Sequence, residues 1–574
     1  MRARRDSGAA PSRLQNAAPS SRAWLLAAVL LTLLWFAALD MRKLHHPDEG
    51  RYAEIAREML QSGDWVTPRL DGLKYFEKPP LQYWLAAGAF AIFGVHDWSA
   101  RLPSALFGWL AVIAVGYAGA RIADVTTGLF AAGALAACVW QIGIAHFLTL
   151  DAMLSGWLAL ALAAFLVAQS AATTPASRRR WMLGAWVAVA GAVLTKGPIG
   201  LVIPAGALAL HSLAARDWAV WRRLAWLPGI AVVLLLCAPW FVAVSSRNPE
   251  FARFFFIHEH VERFLTTEHR REGAWWYFVP LLIVGLLPWT GLLLKMPAAW
   301  RDATRGVNGF AWVRFCLAWA LFVFLFFSVS GSKLPSYILP LFPALALVIG
   351  WVLARMSSAW WRWLLGSIAV GSSVAAVGLW LGFDRLAQRL ATDRTPAEVY
   401  VSFGQSLKAG TTLFAIAAVA SCLAERRGTV AARGLAIVLL ALGMNLAMQL
   451  GFWANDGLSP SRSTAGLVTA LEAAPGTPYD ARAPFFQVRL YDQTLPWYLR
   501  RTTTVVDYRD ELALGLDAEP GKGIADTHTW IARWNSLPQA YALMTPETYE
   551  ELRRDGVPMR IAARSARYVI AARQ

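Results

Sequence analysis

From Ala23 to Trp453 the chain is an almost unbroken series of apolar runs, most of them near the roughly 20 residues that a helix needs to cross a bilayer core. No other feature restricts the fold as much. A backbone inside hydrocarbon must satisfy its own N–H and C=O groups, so such runs fold as helices. They begin near Ala23, Ala100, Val125, Ala152, Trp181, Gly197, Ala225, Trp276, Ala311, Leu334, Trp363, Gly410 and Gly434, which predicts about thirteen transmembrane helices. An apolar content of 57%, with 29 Trp and only 16% charged residues, excludes a string of soluble domains. The 54 Lys+Arg exceed the 37 Asp+Glu, but most basic residues sit in short loops between runs. That is positive-inside topology with contact to anionic membrane lipids, and no nucleic-acid partner is expected. Cys138, Cys237, Cys316 and Cys422 all fall within apolar runs, so no disulfide is expected.

Orientation follows from the basic clusters. Residues 1–22 form a basic, Ser/Ala/Pro-rich tail read as disordered and cytoplasmic, ahead of an uncleaved signal anchor. The run LQYWLAAGAFAIFG, Leu81 to Gly94, is too short to span comfortably. If it crossed, Arg178 to Arg180, Arg222-Arg223 and Arg426-Arg427 would face away from the tail, against the positive-inside rule. Laid in the interface as a juxtamembrane helix, it returns all three clusters to the cytoplasm. The loops 40–99 and 245–275 then share the outer face with turns near Asp151, Lys196 and Ser330 to Tyr337, and with Asp384 to Lys408. A membrane domain over 23–453 is followed by residues 454–574, where FFQVRLY, TTTVVDY and MRIAARSARYVIAAR read as strands and TPETYEELRRDG as a helix. This predicts a small α/β domain, outside the membrane by parity.

The chemistry-bearing residues gather on that outer face. In HHPDEGRY, Asp48 and Glu49 follow the first run and precede a helix, where acidic residues commonly cap. Capping accounts for one of them; a second carboxylate with Arg51 and Tyr52 in the same turn favours a site role for Asp48. Asp151 in FLTLDAML is as well placed to cap as to act, and its shared face with Asp48 favours action. YFEKPPL carries Tyr75, Glu77 and Lys78. Lys196, Arg263 and Lys333 end spans, where lysines often only snorkel. Around one mouth they suit a lipid-borne phosphate, with Tyr75 and Tyr337 as neutral donors. Glu77 with His258 offers a zinc-compatible pair, against the more ordinary reading of IHEHVERF as a surface histidine cluster. Walker, dinucleotide and serine-elbow motifs are absent from the sequence, so a nucleotide-driven reaction is not expected.

The strings PDEGRYAEIAREMLQSGDWVTPRLDGLKYFEKPPL, LTKGPIG and GSKLPSYILPLFPALAL resemble the lipid A aminoarabinose transferases, membrane glycosyltransferases of the GT-C type related to protein O-mannosyltransferases. The similarity covers about the first 350 residues and is weaker in the tail. It implies an all-α polytopic membrane domain with periplasmic juxtamembrane helices and a small C-terminal α/β periplasmic domain, in a bacterial inner membrane. The implied reaction moves 4-amino-4-deoxy-L-arabinose from undecaprenyl phosphate to lipid A phosphates, giving resistance to cationic antimicrobial peptides such as polymyxin. Carried onto matching positions, Asp48 and Asp151 lie at the catalytic centre beside Arg51 and Tyr52. Tyr75, Lys78, Arg263 and Tyr337, with Lys196 and Lys333, hold the polyprenyl phosphate. Glu77 and His258 hold a structural zinc ion. A monomer is expected. The alternatives are a transferase with another sugar or a protein acceptor, and a lipid transporter, which would need charges at mid-membrane.

Overall fold

The computed structural model describes residues 21–170, 173–262, 273–303, 310–392, 397–474 and 479–573. Among them, seven helices are each long and apolar enough to cross a bilayer core, including Asp97–Ile122, Leu150–Gln169, Trp226–Arg247, Trp312–Val329, Ser358–Leu390 and Ala397–Glu425. Two further candidates are bent pairs, Val125–Ala136 with Val139–Ala145 at 60° and Phe278–Gly285 with Thr290–Asp302 at 108°. The remaining runs also fold as helices: Arg22–Phe36, Ile199–Ala215 and Leu341–Arg355, and Pro175–Lys196, which starts on the Thr174 cap with proline in its first turn. The chain is thus a multi-span membrane protein. Its outermost helices turn apolar stripes outward. On Ser358–Leu390, Val370, Val374, Val377 and Leu381 are all exposed at helical spacing, a surface stable against lipid and not against water. Inside, helices meet at small residues; a Cβ on Gly128 would stand 2.4 Å from the Gly116 carbonyl oxygen.

The polar interval after the first helix forms three pieces. Helix Asp48–Ser62 ends on left-handed Gly63. A short ladder pairs β1 (Arg69–Leu70) with β2 (Leu73–Lys74). Helix Leu81–Phe93 follows, and its 13 residues span only about 20 Å of the roughly 30 Å core.

The C-terminal domain is a five-stranded sheet in the order β4-β3-β5-β7-β6, built from β3 (Phe485–Val488), β4 (Thr504–Val506), β5 (Tyr541–Met544), β6 (Met559–Arg564) and β7 (Val569–Arg573). β3 runs parallel to β4 and β5, whereas β7 is antiparallel to β5 and β6. β3 and β5 are buried at every position, because helices cover both faces. Phe485 packs with Leu467 and Leu495, and Phe486 packs with Trp530 and Trp534 on the opposite face. The domain docks on the polar interval, and one core cluster joins Tyr52, Tyr75, Tyr83 and Phe90 to Trp497, Val505 and Leu512.

Candidate active site

The two adjacent carboxylates at the start of helix Asp48–Ser62 have opposite fates, since one position along a helix turns a side chain about 100°. Glu49 is buried and satisfied on all sides. It accepts from Arg42 at 2.5 and 3.0 Å, from Arg101 at 2.8 and 3.2 Å, and from the backbone N–H groups of His45 and Leu148. Burial alone would raise its carboxyl, but the Arg101 and Arg42 guanidiniums outweigh burial and hold it well below the usual carboxylate range. Asp48 instead leaves 40% of its side chain exposed and accepts one bond, from Arg51 Nη1 at 2.9 Å. Neither side chain caps the helix.

Arg51, Tyr52 and Tyr83 lie within electrostatic reach of Asp48, and Tyr75 and Glu77 lie within reach of Arg51. Burial raises the Tyr52 and Tyr75 hydroxyls well above the ordinary phenol range, so both stay neutral donors. The buried Tyr75 and Tyr83 hydroxyls have no hydrogen-bond partner among the described residues. Orphaned donors of this kind are unfavourable unless a ligand accepts from them. Sequence reasoning did not single out Tyr83; its place at i+8 from Tyr75, across the proline pair, gave no local signal.

Asp151 lies in the first turn of Leu150–Gln169. Lys196 Nζ and Ser336 Oγ, the latter at 2.8 Å, donate to its two oxygens. The Lys196 ammonium also sits 4.5 Å above the Tyr337 ring. Lys78 donates to Glu259 Oε2 at 2.9 Å and stands 3.8 Å from Glu77 Oε2. A cavity of about 320 Å³ has Lys78, Lys196, Glu259 and Tyr337 in its polar lining and Ile199, Val202, Phe326 and Phe327 in its apolar wall, and Asp151 adjoins it through its ion pair with Lys196. A separate cavity of about 150 Å³, lined by Phe165, Trp186, Trp221 and Trp319 among other apolar residues, has no titratable side chain.

Of the predicted site residues that the structure describes, Lys78, Lys196 and Tyr337 line this cavity, and Asp48, Arg51, Tyr52, Tyr75, Glu77, Asp151, Lys333 and His258 do not. Lys333 is buried and donates to the Ser330 carbonyl at 2.7 Å. His258, on the helical turn Arg253–Glu262, packs its ring 5.2 Å from Phe254. Arg263 lies outside the described residues. Among the described residues no three His, Cys, Asp or Glu side chains converge as a metal site would require.

The C-terminal domain reaches into the same arrangement. Glu511, on the turn Asp510–Leu512, approaches Arg51 Nη2 at 2.5 Å, and Gln493 Nε2 donates to its other oxygen. Burial raises the Glu511 carboxyl, with Arg51 opposing. Nothing local in RDELALG marks this residue, because its partner lies in the first polar interval.

Comparison with known proteins gives matches over both halves. The family described as dolichyl-phosphate-mannose-protein mannosyltransferase matches residues 20–255, and that described as aminoarabinose transferase C-terminal domain matches residues 476–573. An undecaprenyl phosphate-α-4-amino-4-deoxy-L-arabinose arabinosyl transferase of Erwinia tasmaniensis is 32% identical over 57% of this chain and 58% of its own length. One of Pseudomonas aeruginosa is 36% identical over 58% and 60%. The matched sequence thus spans under two thirds of these curated relatives. The crystal structure of ArnT from Cupriavidus metallidurans bound to undecaprenyl phosphate superposes with a TM-score of 0.90 at 35% identity, over 96% of this chain and 98% of that one.

Proposed function

The chain belongs to the undecaprenyl phosphate-α-4-amino-4-deoxy-L-arabinose arabinosyl transferase family, and we propose that it transfers 4-amino-4-deoxy-L-arabinose from undecaprenyl phosphate to lipid A phosphates. The observation that carries this reading is a cavity bordered by Lys78 and Lys196 with apolar Ile199, Val202, Phe326 and Phe327 in its wall. The orphaned Tyr83 donor lies in electrostatic reach of Glu259 in its lining, and the orphaned Tyr75 donor in reach of Glu77. A polyprenyl phosphate has a matching division, an anionic head on an apolar chain. With thirteen spans and a cytoplasmic tail, the site and residues 454–574 face the periplasm of the inner membrane, where lipid A phosphates are presented. The proposed working unit is a monomer.

The chemistry follows from charge. A lipid A phosphate oxygen, already anionic, attacks the sugar's anomeric carbon as the bond from that carbon to the carrier phosphate breaks; undecaprenyl phosphate leaves with the electron pair. No general base is required of Asp48. Asp48 and Asp151 stabilise positive charge developing at the sugar ring and recognise its amino group. Lys78, Lys196 and Arg263, with the neutral Tyr75 and Tyr337, stabilise the departing phosphate, and Lys333 orders the Ser330 turn beside them. One direct displacement inverts the anomeric centre and uses no nucleotide. Zinc ordering of the outer loops by Glu77 and His258 is part of the proposal. Carboxylate and imidazole are donors that zinc accepts, and Glu77 and His258 would supply them, although no group of three such ligands converges among the described residues.

Transfer is tested with the purified chain, polyprenyl-linked aminoarabinose and lipid A, without nucleotide, followed by mass spectrometry of the lipid. Aminoarabinose-bearing lipid A is expected, and Asp48→Asn should slow its formation by about 10²–10³-fold while carrier binding persists. Transfer to protein alone, or near-normal turnover by the Asp48→Asn variant, would reject the acceptor or the carboxylate role respectively.

A further inference from the structure

Arg51 spans two carboxylates from two domains. Its Nη1 holds Asp48 Oδ1 at 2.9 Å, and its Nη2 holds Glu511 Oε2 at 2.5 Å. A guanidinium facing one carboxylate closes on both oxygens as a fork; here the fork is split. Asp48 keeps Oδ2 without a hydrogen bond among the described residues and remains 40% exposed, whereas Glu511 is only 10% exposed. The position of Glu511 is fixed from several sides. Gln493 binds its second oxygen, and the surrounding domain is tied down by Trp497 and Tyr498 donating to Asp97 at 2.9 and 3.0 Å, and by Arg69 on Glu519 at 2.9 Å.

We propose, resting on the transferase reading, that Glu511 is a positioning residue. By holding one prong of Arg51, it keeps the second Asp48 oxygen available to the sugar and makes turnover depend on the docked C-terminal domain. With Glu511 neutral, Arg51 is released to grip both Asp48 oxygens, which turns that carboxylate away from substrate and offsets its charge. Carrier phosphate binding, assigned to Lys78, Lys196 and the tyrosines, is untouched.

The test is steady-state transfer by the full-length chain in detergent, with melting temperatures measured alongside. Glu511→Gln is nearly isosteric and should lower kcat by about tenfold or more, with KM for the lipid-linked donor within about twofold of the parent. Gln493→Ala, which loosens Glu511 without removing its charge, should lower kcat in the same sense and less. Glu519→Gln sits at the same domain junction on Arg69 and Lys522 and should keep kcat. Parent-like turnover by the Glu511→Gln protein would overturn the proposal. So would a loss that the Glu519→Gln protein matches, or one explained by a lowered melting temperature and a raised KM. A parent protein that transfers no aminoarabinose would instead overturn the transferase reading itself.

Discussion

Asp71 shows what a single side chain contributes at the seam between the two domains. It turns back from the β1–β2 ladder into the junction, where the backbone N–H and hydroxyl of Thr503 donate to its two oxygens. Burial pushes its carboxyl up to about 7, against those hydrogen bonds, and neighbouring Glu54 adds to the shift. The unfolded chain releases this proton near pH 4 and the folded chain near pH 7, so the folded state binds more protons in between. Stability from this group is therefore greatest below about pH 4 and declines as pH rises to about 7, by at most about 4 kcal/mol. Unfolding of parent and Asp71→Asn proteins followed from pH 4 to 7.5 should give curves that diverge across that window. Parallel curves would exclude this role.

Among the elements, helix Asp48–Ser62 organises the site because its first turn performs two separate tasks. Glu49 ties the segment after the first helix, helix Asp97–Ile122 and the turn before Leu150 to one buried carboxylate. Glu49→Ala leaves Arg42 and Arg101 buried without that counter-charge, and a loss of about 3–5 kcal/mol of stability is expected in chemical unfolding. Asp48→Asn, one residue earlier, should leave unfolding nearly unchanged while slowing transfer. Equal melting of the Glu49→Ala protein and the parent would show that the arginines find other partners. In the sequence both are acidic groups ahead of a helix, of which Asp48 is favoured for a site role; the packing of three distant elements on the Glu49 side gives Glu49 the structural one.

For the whole molecule, the decisive feature is the close seating of the C-terminal domain on the first polar interval. A Cβ on Gly50 would stand 2.7 Å from the Gln493 carbonyl carbon, and one on Gly515 would stand 2.7 Å from the Lys74 carbonyl oxygen. Backbone cannot yield there without displacing the domain. Gly50→Ala should lower transfer and increase amide exchange in β3 and β4, whereas Gly457→Ala, whose added Cβ meets nothing within 4 Å, should change neither. Exchange unaltered in the Gly50→Ala protein would mean that the seam adapts.

The sequence by itself determined what local physics can impose. Apolar runs of bilayer length had to be helical, the strand and helix patterns near the end had to form a small α/β domain, and the polar interval after the first run had to carry acidic, basic and phenolic side chains to one boundary. It also made visible the candidate residues Asp48, Arg51, Tyr75, Lys78, Asp151, Lys196 and Tyr337. Their pairings were decided only in three dimensions. Lys196 meets Asp151, Lys78 meets Glu259, and Arg51 meets Glu511. Each pairing joins segments far apart in the chain, so its stability depends on helix packing and domain docking rather than on any local pattern. The same holds for the division of labour between Asp48 and Glu49. Burial among arginines makes one carboxylate structural, and exposure beside a split guanidinium leaves its neighbour free for chemistry.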